Sequence, residues 1–297
     1  METTGIPGLM LCLAVLHLAS CIRDDRDDCE YPLRLHFTYN YNREQTDLLH
    51  DEVPCIDLCL YDSNSGIIMK HTKIQEAELD DDGNFIWNVP EGRFTLVAWG
   101  GIESRYELDT KSPLLKALLT LPATDGYIPH KREHLWHNTT ADILVNGSVT
   151  PVYDIDLRKI SNDLTITVHC ADDDIDISAF SSKVTASNNR YDAVGTIAAG
   201  TLPAEYRPGL TRSSSSHYYT LLGIDHGDDS ILDVNLGEIR IYSGSLTELI
   251  SRQPNIVFGL DDDFIVDFEI ASTGQSRLSV SLSVNGWTIS DYSVALK

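Results

Sequence analysis

Cysteines, histidines and runs of aspartate are the residues in this sequence whose types and spacing bear on chemistry. There are six cysteines, Cys12, Cys21, Cys29, Cys55, Cys59 and Cys170. Cys55 and Cys59 sit four apart in VPCIDLCLY, which reads as a strand. At roughly 3.3 Å per residue they point to one face about 13 Å apart, too far to bridge each other. A disulfide between Cys29 and either Cys55 or Cys59 is the pairing left open in an oxidising compartment; the alternative is that these cysteines are small buried apolar residues. Zinc is disfavoured, because no histidine pair at ligand spacing accompanies them. His130, His134 and His137 in IPHKREHLWHN would share one face of a helix opened by Pro129, but no carboxylate or cysteine nearby completes a metal site, and a polar surface segment is the simpler reading. Asp80-x-Asp82-x-Asn84 begins like a calcium loop, yet Phe85 stands where the turn glycine belongs, so a hairpin turn fits better. Asp172-Asp173-Asp174 and Asp261-Asp262-Asp263 read as exposed turns. The nucleophile elbow Gly-x-Ser-x-Gly and the phosphate-binding glycine loops do not occur. No catalytic residue, metal ligand or cofactor is expected.

Cys21 is the cysteine with the clearest chemistry. Residues 8–19, GLMLCLAVLHLA, form an apolar run shorter than the roughly 20 residues a membrane-spanning helix needs, with the length of a signal-peptide core. The run ends in Leu18-Ala19-Ser20-Cys21, which resembles the bacterial lipobox, where the cysteine takes lipid and becomes the mature N-terminus. The leader METTGIPG carries no Lys or Arg, although such leaders are normally positive. Residues 1–20 are therefore read as a signal peptide and 21–30 as a lipidated tether, with outer-membrane lipid as the partner of Cys21. The following IRDDRDD is too charged to fold on itself, and it resembles the surface-export signal of Bacteroidetes lipoproteins. The chain of 297 residues has a formal net charge of −23, which repels nucleic acid and anionic headgroups. Asp229-Ser230-Ile231 resembles a short O-glycosylation pattern of secreted Bacteroidetes proteins.

The elements that would position these residues read as strands. In YPLRLHFTYNY, Leu33, Leu35, Phe37, Tyr39 and Tyr41 share one face and Arg34, His36, Thr38 and Asn40 the other, the period of a strand with one buried side. Turn clusters at Asp62–Gly66, Asp80–Asn84 and Pro90–Gly92 separate further strands. Residues 112–121 are the one apolar stretch read as a possible helix. The second half repeats the pattern from DIDLRKISNDLTITVH to the C-terminal segment, where Tyr292, Val294 and Leu296 form an apolar row. The grammar is all-β, in two sandwich domains at 31–155 and 156–297.

In this order, four features resemble the FimB-type fimbrial anchor subunits of Bacteroidetes: the lipobox cysteine with its acidic tether and Cys29; LRLHFTYNYN followed by VPCIDLCLYD; VPEGRFTLVAWGG; and IDLRKISNDLTITV with the terminal VNGWT. The resemblance implies two transthyretin-like β-sandwiches, a position at the base of a type V pilus, and a fimbrial stalk subunit as partner. It also implies assembly by donor-strand exchange, in which an extended segment completes a neighbour's sheet; the donor would be the row Tyr292, Val294 and Leu296, whose alternative role is the last strand of the chain's own second sandwich. Two rival functions remain. In a stalk or tip pilin, cleavage after Arg43 would remove the first strand. A surface glycan-binding lipoprotein would need an exposed aromatic platform, for which Trp87, Trp99, Trp136 and Trp287 are the candidates and Trp136 the first to test.

Overall fold

The computed structural model describes residues 29–147, 151–170, 172, 175–210, 215–224, 229–273 and 277–295. Twenty-two strands follow one another: β1 Glu30–Thr38, β2 Cys55–Asp62, β3 Ile68–Gln75, β4 Asn84–Pro90, β5 Gly92–Gly100, β6 Glu107–Leu108, β7 Leu118–Thr120, β8 Tyr127–Ile128, β9 Trp136–Val145, β10 Val152–Asp156, β11 Arg158–Lys159, β12 Ser161–Cys170, β13 Phe180–Ala186, β14 Arg190–Asp192, β15 Ala204–Tyr206, β16 Gly209–Leu210, β17 Ser216–Leu222, β18 Ile231–Leu236, β19 Ile239–Ser245, β20 Asp263–Ser272, β21 Arg277–Val284 and β22 Trp287–Ala295. Two short helices, α1 Leu49–Glu52 and α2 Leu246–Ile250, interrupt them.

The alternation read in the sequence fixes which face of each strand is buried. Leu33, Leu35 and Phe37 are buried while Arg34 and His36 turn outward. Sheet A (order β10-β1-β4) packs against sheet B (β11-β9-β5-β2-β3), with Leu33, Leu35, Phe37, Trp87 and Ile155 meeting Ile56, Leu58, Leu60, Leu96 and Ile143 in one core. A second sandwich joins sheet E (β16-β17-β12-β20-β21-β22) to sheet D (β19-β18-β13-β15-β8), around Leu164, Ile166, Phe264, Phe268, Val184 and Leu232. Most pairings are antiparallel; β1 with β10, β12 with β20 and β15 with β8 are parallel.

A small fifth sheet, C (β14-β7-β6), ties the sandwiches together. Its Leu119 and Leu121 share a core with Cys59, Tyr61, Val97 and Trp99 on the outer face of sheet B, and that core continues into the second sandwich. Residues 112–121 are thus not helical. Ala117, Leu119 and Leu121 are buried and Leu118 and Thr120 less so, a period of two, and the residues before them form the turn between β6 and β7.

Strand direction and register place the two ends of the chain. Glu30 pairs with Pro90, Gly92 with Val145 and Leu60 with Lys70, so the start of β1, the β4–β5 turn, the β2–β3 turn and the end of β9 share one end of the first sandwich. At its other end Gly100 pairs with Trp136, and Leu157 donates its backbone N–H to Thr38 O. There the chain passes through β11 into β12, whose first residue Ser161 pairs with Leu222. From this junction β12, β20 and β22 all run away, to Cys170, Ser272 and Ala295. The chain therefore enters at one end of a two-sandwich body and β22 finishes at the opposite end.

Candidate functional site: an open sheet edge and a charged junction

β22 closes sheet E on one side only, through β21. Tyr292 and Val294 are half-buried against the core of the second sandwich, and Tyr292 Oη donates to Ile241 O of β19 at 2.9 Å. Burial pushes the Tyr292 phenol up to about 12. Asp291, Ser293 and Ala295 face outward. Leu296 lies outside the described residues. The row read as a donor is thus, in the folded chain, the lining of its own last strand.

Among the described residues no strand pairs with the outer side of β22, and open edges are templates for pairing with another chain unless they are blocked. Among the described residues the other long edges carry such blocks. β3 bears Lys70 and Lys73, and Lys70 Nζ crosses to sheet A, donating to Glu30 Oε1 at 2.6 Å and to Asn88 O at 2.7 Å. β4 ends in Pro90. β19 carries Arg240, and its register with β18 shifts at Val234/Asn235. β22, the longest of these edges, contains no Lys, Arg or Pro across its nine residues; its register with β21 shifts near its start, at Leu282/Ser283, and from Ser290 to Ala295 it pairs regularly.

The junction between the sandwiches joins residues that are remote in sequence. Lys159, whose side chain is 10% exposed, lies 2.6 Å from Asp262 of the second sandwich and 3.7 Å from Glu52 of the first, and its ammonium sits 5.8 Å above the Trp136 ring. Arg43 forms a two-pronged ion pair with Asp261 and also donates to Asn255 O at 3.3 Å. Asp261 and Asp262, expected in an exposed turn, are therefore half-buried seam residues. Burial, with Asp163 and Asp262 nearby, raises the Asp263 carboxyl. A cleft of about 420 Å³ opens here, lined among others by Arg132, His134, Lys159 and Asp163.

The remaining sequence-derived candidates sort as follows. Cys21 lies outside the described residues. Cys29, Cys55 and Cys59 are free thiols, so the expected cystine is not formed. The reason is facial: Cys29 leads into sheet A, whereas Cys59 is on the face of β2 turned away from sheet A. Cys55 shares that face, and its Sγ lies 3.4 Å from Ile102 O. Burial pushes the Cys59 thiol up to about 12 and raises that of Cys55. The three histidines do not share a helix face, because residues 129–135 form an irregular connection between β8 and β9 and not a helix. His130 packs edge-on to Tyr218, His134 lies 3.6 Å from Asp163, and His137 rests on Trp99 with ring centroids 4.3 Å apart. The Asp80 carboxylate is consumed by its own turn, accepting the backbone N–H groups of Asp82 and Asn84. Ser230 of the glycosylation-like triplet is buried. Trp136 is 1% exposed and cannot act as a platform, whereas Trp287 is 54% exposed.

Compared with known proteins, residues 26–293 match the family described as fimbrillin-A associated anchor proteins Mfa1 and Mfa2. The chain belongs to this family. It is a family of fimbrial anchor proteins rather than of enzymes, and membership associates the chain with fimbriae and the cell envelope. No curated protein matches the chain in sequence. Among solved structures, the fimbrial anchor protein Mfa2 from Porphyromonas gingivalis is 19% identical with a TM-score of 0.73, over 89% of this chain and 100% of that one. A candidate adhesin from Bacteroides ovatus is 17% identical with a TM-score of 0.72, over 87% and 95%. A candidate polysaccharide-binding protein from Bacteroides thetaiotaomicron is 17% identical with a TM-score of 0.71, over 88% and 97%. At these identities the likeness carries the fold: an all-β chain of packed sheets.

Proposed function

We propose that this chain holds a fimbrial stalk to the outer membrane, by lipid on Cys21 at one end and by strand pairing through β22 at the other. The observation that carries this reading is the placement of the ends. β1 begins at one extremity, and the unblocked β22 finishes at the other. An anchor needs that separation, because the membrane and the stalk must be held on opposite sides of one rigid body. Backbone hydrogen bonds along the open edge would supply affinity, and alternate side chains the register. In the donor form of the reading, Tyr292, Val294 and Leu296 leave their own core and dock in a groove of the stalk subunit.

The stalk and tip rivals require loss of the first strand. Here β1 is the central strand of sheet A, with Leu33, Leu35 and Phe37 in the core, and the Arg43 guanidinium is engaged by Asp261. Both features favour a chain that keeps its own sheet closed. Exposed Trp287 supports a second, glycan-binding reading; glycan-array binding abolished by Trp287→Ala would establish it.

The anchor reading is tested by deleting residues 290–297. Fimbriae shed into the medium are the expected result, and normal cell-bound fimbriae on a stable truncated chain would refute strand pairing by β22. Because that deletion uncovers core, Asp291→Lys with Ser293→Lys provides a second test. Both side chains face outward, so the fold is kept while the edge gains two lysines. Unchanged fimbrial retention in this variant would also refute the pairing. Cys21→Ala should release the chain from the membrane fraction.

A further inference from the structure

The end of the first sandwich from which the tether leaves also carries an apolar tip. Leu115, in the turn between β6 and β7, is 94% exposed. Its neighbour Leu114 donates its backbone N–H to Gly66 O at 2.8 Å, which fixes the turn beside the β2–β3 hairpin. Ile67 and Met69 of that hairpin are about half exposed. The hairpin in turn is joined to the start of β1 by the Lys70–Glu30 ion pair. Leu115, Ile67 and Met69 therefore gather where the chain emerges towards Cys21.

In a chain whose net charge is −23, two lysines stand beside this apolar tip. Exposed Lys111 and Lys116 flank Leu115. Glu30 is held by Lys70 and Asp142 by Arg93. Asp62 and Asp109 accept hydrogen bonds from the serine hydroxyls of their own turns, Ser65 and Ser112, and from backbone N–H groups there, and these hold both carboxyls below the usual range. Glu91 is the remaining exposed acid of the β4–β5 turn.

We propose that this tip is a second membrane contact, in which Leu115 and Ile67 enter the headgroup region of the bilayer while Lys111 and Lys116 meet lipid phosphates. The proposal rests on lipidation of Cys21. Seven residues lie between Cys21 and Cys29, eight steps along the backbone, so the lipid holds this end within roughly 29 Å of the surface at full extension. An apolar tip with flanking lysines at that distance fits the interface, where apolar groups settle about 5–10 Å into the headgroup boundary. The contact would set the body upright on the membrane, with β22 pointing away from it.

The test uses the lipidated full-length chain in vesicles of phosphatidylcholine and phosphatidylglycerol that contain a spin-labelled lipid. A fluorophore is attached at Leu115→Cys, or for comparison at Ala295→Cys, in a Cys29→Ser and Cys170→Ser background. Severalfold stronger quenching at 115 than at 295 is expected. The same probe at Ile67→Cys should lose most of its quenching when Leu115→Asp is added, with no loss of vesicle flotation. Flotation with equal, weak quenching at both positions overturns the membrane contact and leaves the lipid tether standing. Failure to float overturns the tether and the contact with it. A dimer of the unlipidated chain that Leu115→Asp dissolves, with no quenching at 115, would assign the tip to a second copy and overturn the proposal.

Discussion

His137 should make this fold sensitive to mild acid, and the size of the effect follows from its surroundings. Its Nε2 lies 3.1 Å from Ala193 O, an acceptor, so Nε2 carries the proton and Nδ1 is bare. Nδ1 faces Gly195, which sits at φ +81° with no room for a Cβ against the ring, and the imidazole rests on Trp99. Burial pushes the imidazole down to about 4. A histidine whose folded pKa is depressed binds fewer protons folded than unfolded, so stability is intact above the unfolded value near 6.5 and is lost as pH falls through the window down to about 4. Between neutral pH and about pH 4.5, the linkage amounts to about 2 kcal/mol. Urea unfolding of the wild type and of His137→Gln, which keeps a donor for Ala193 O and does not titrate, measures it. The wild type should lose about 2 kcal/mol more than the variant between the two conditions. Equal losses would refute the assignment of the acid sensitivity to this ring.

Three further outcomes are expected. Lys159→Met leaves Glu52 and Asp262 facing each other at the junction; because both carboxylates are about a third exposed, the cost should be about 1–2 kcal/mol in urea unfolding rather than that of a fully buried pair. Asp263→Asn should raise the thermal midpoint near neutral pH and narrow the gap as pH falls, since a carboxyl with a raised folded pKa favours folding at low pH and opposes it as pH rises above the ordinary carboxylate value. A thiol reagent followed by peptide mass spectrometry should modify Cys29 in the native chain, and Cys55 and Cys59 only after unfolding.

Local pattern carried a large part of the fold. The face of Leu33, Leu35, Phe37 and Tyr39 is buried as alternation required, and Cys55 and Cys59 share a side of β2 as their spacing required. What periodicity could not show was which distant segment covers a face. Nothing local predicts that Leu119 and Leu121 would lie against Val97 and Trp99, and without that cover an apolar run after Pro113 looks as much like a helix as a strand. The histidine spacing failed for the same reason, since a four–three pattern has meaning only where a helix forms. Asp261 and Asp262 looked like a solvated turn because their partners, Arg43 and Lys159, are remote in sequence. Of the site itself, the last strand was legible as an apolar row. Its standing as the unblocked edge was not, because an edge is a property of the sheet order and not of the segment.

The parallel pairing of β1 with β10 has a mechanical consequence. A load drawn between the tether and β22 pulls β1 from its first residue and β10 from its last, through β11 and β12. The two strands are then dragged past each other lengthwise, and the hydrogen bonds from Arg34–Val152 to Thr38–Asp156 must give way together rather than one after another. In the anchor proposed above, resistance to shedding under flow would be a matter of the rate at which this pair of strands slides, which an equilibrium measure of stability does not report.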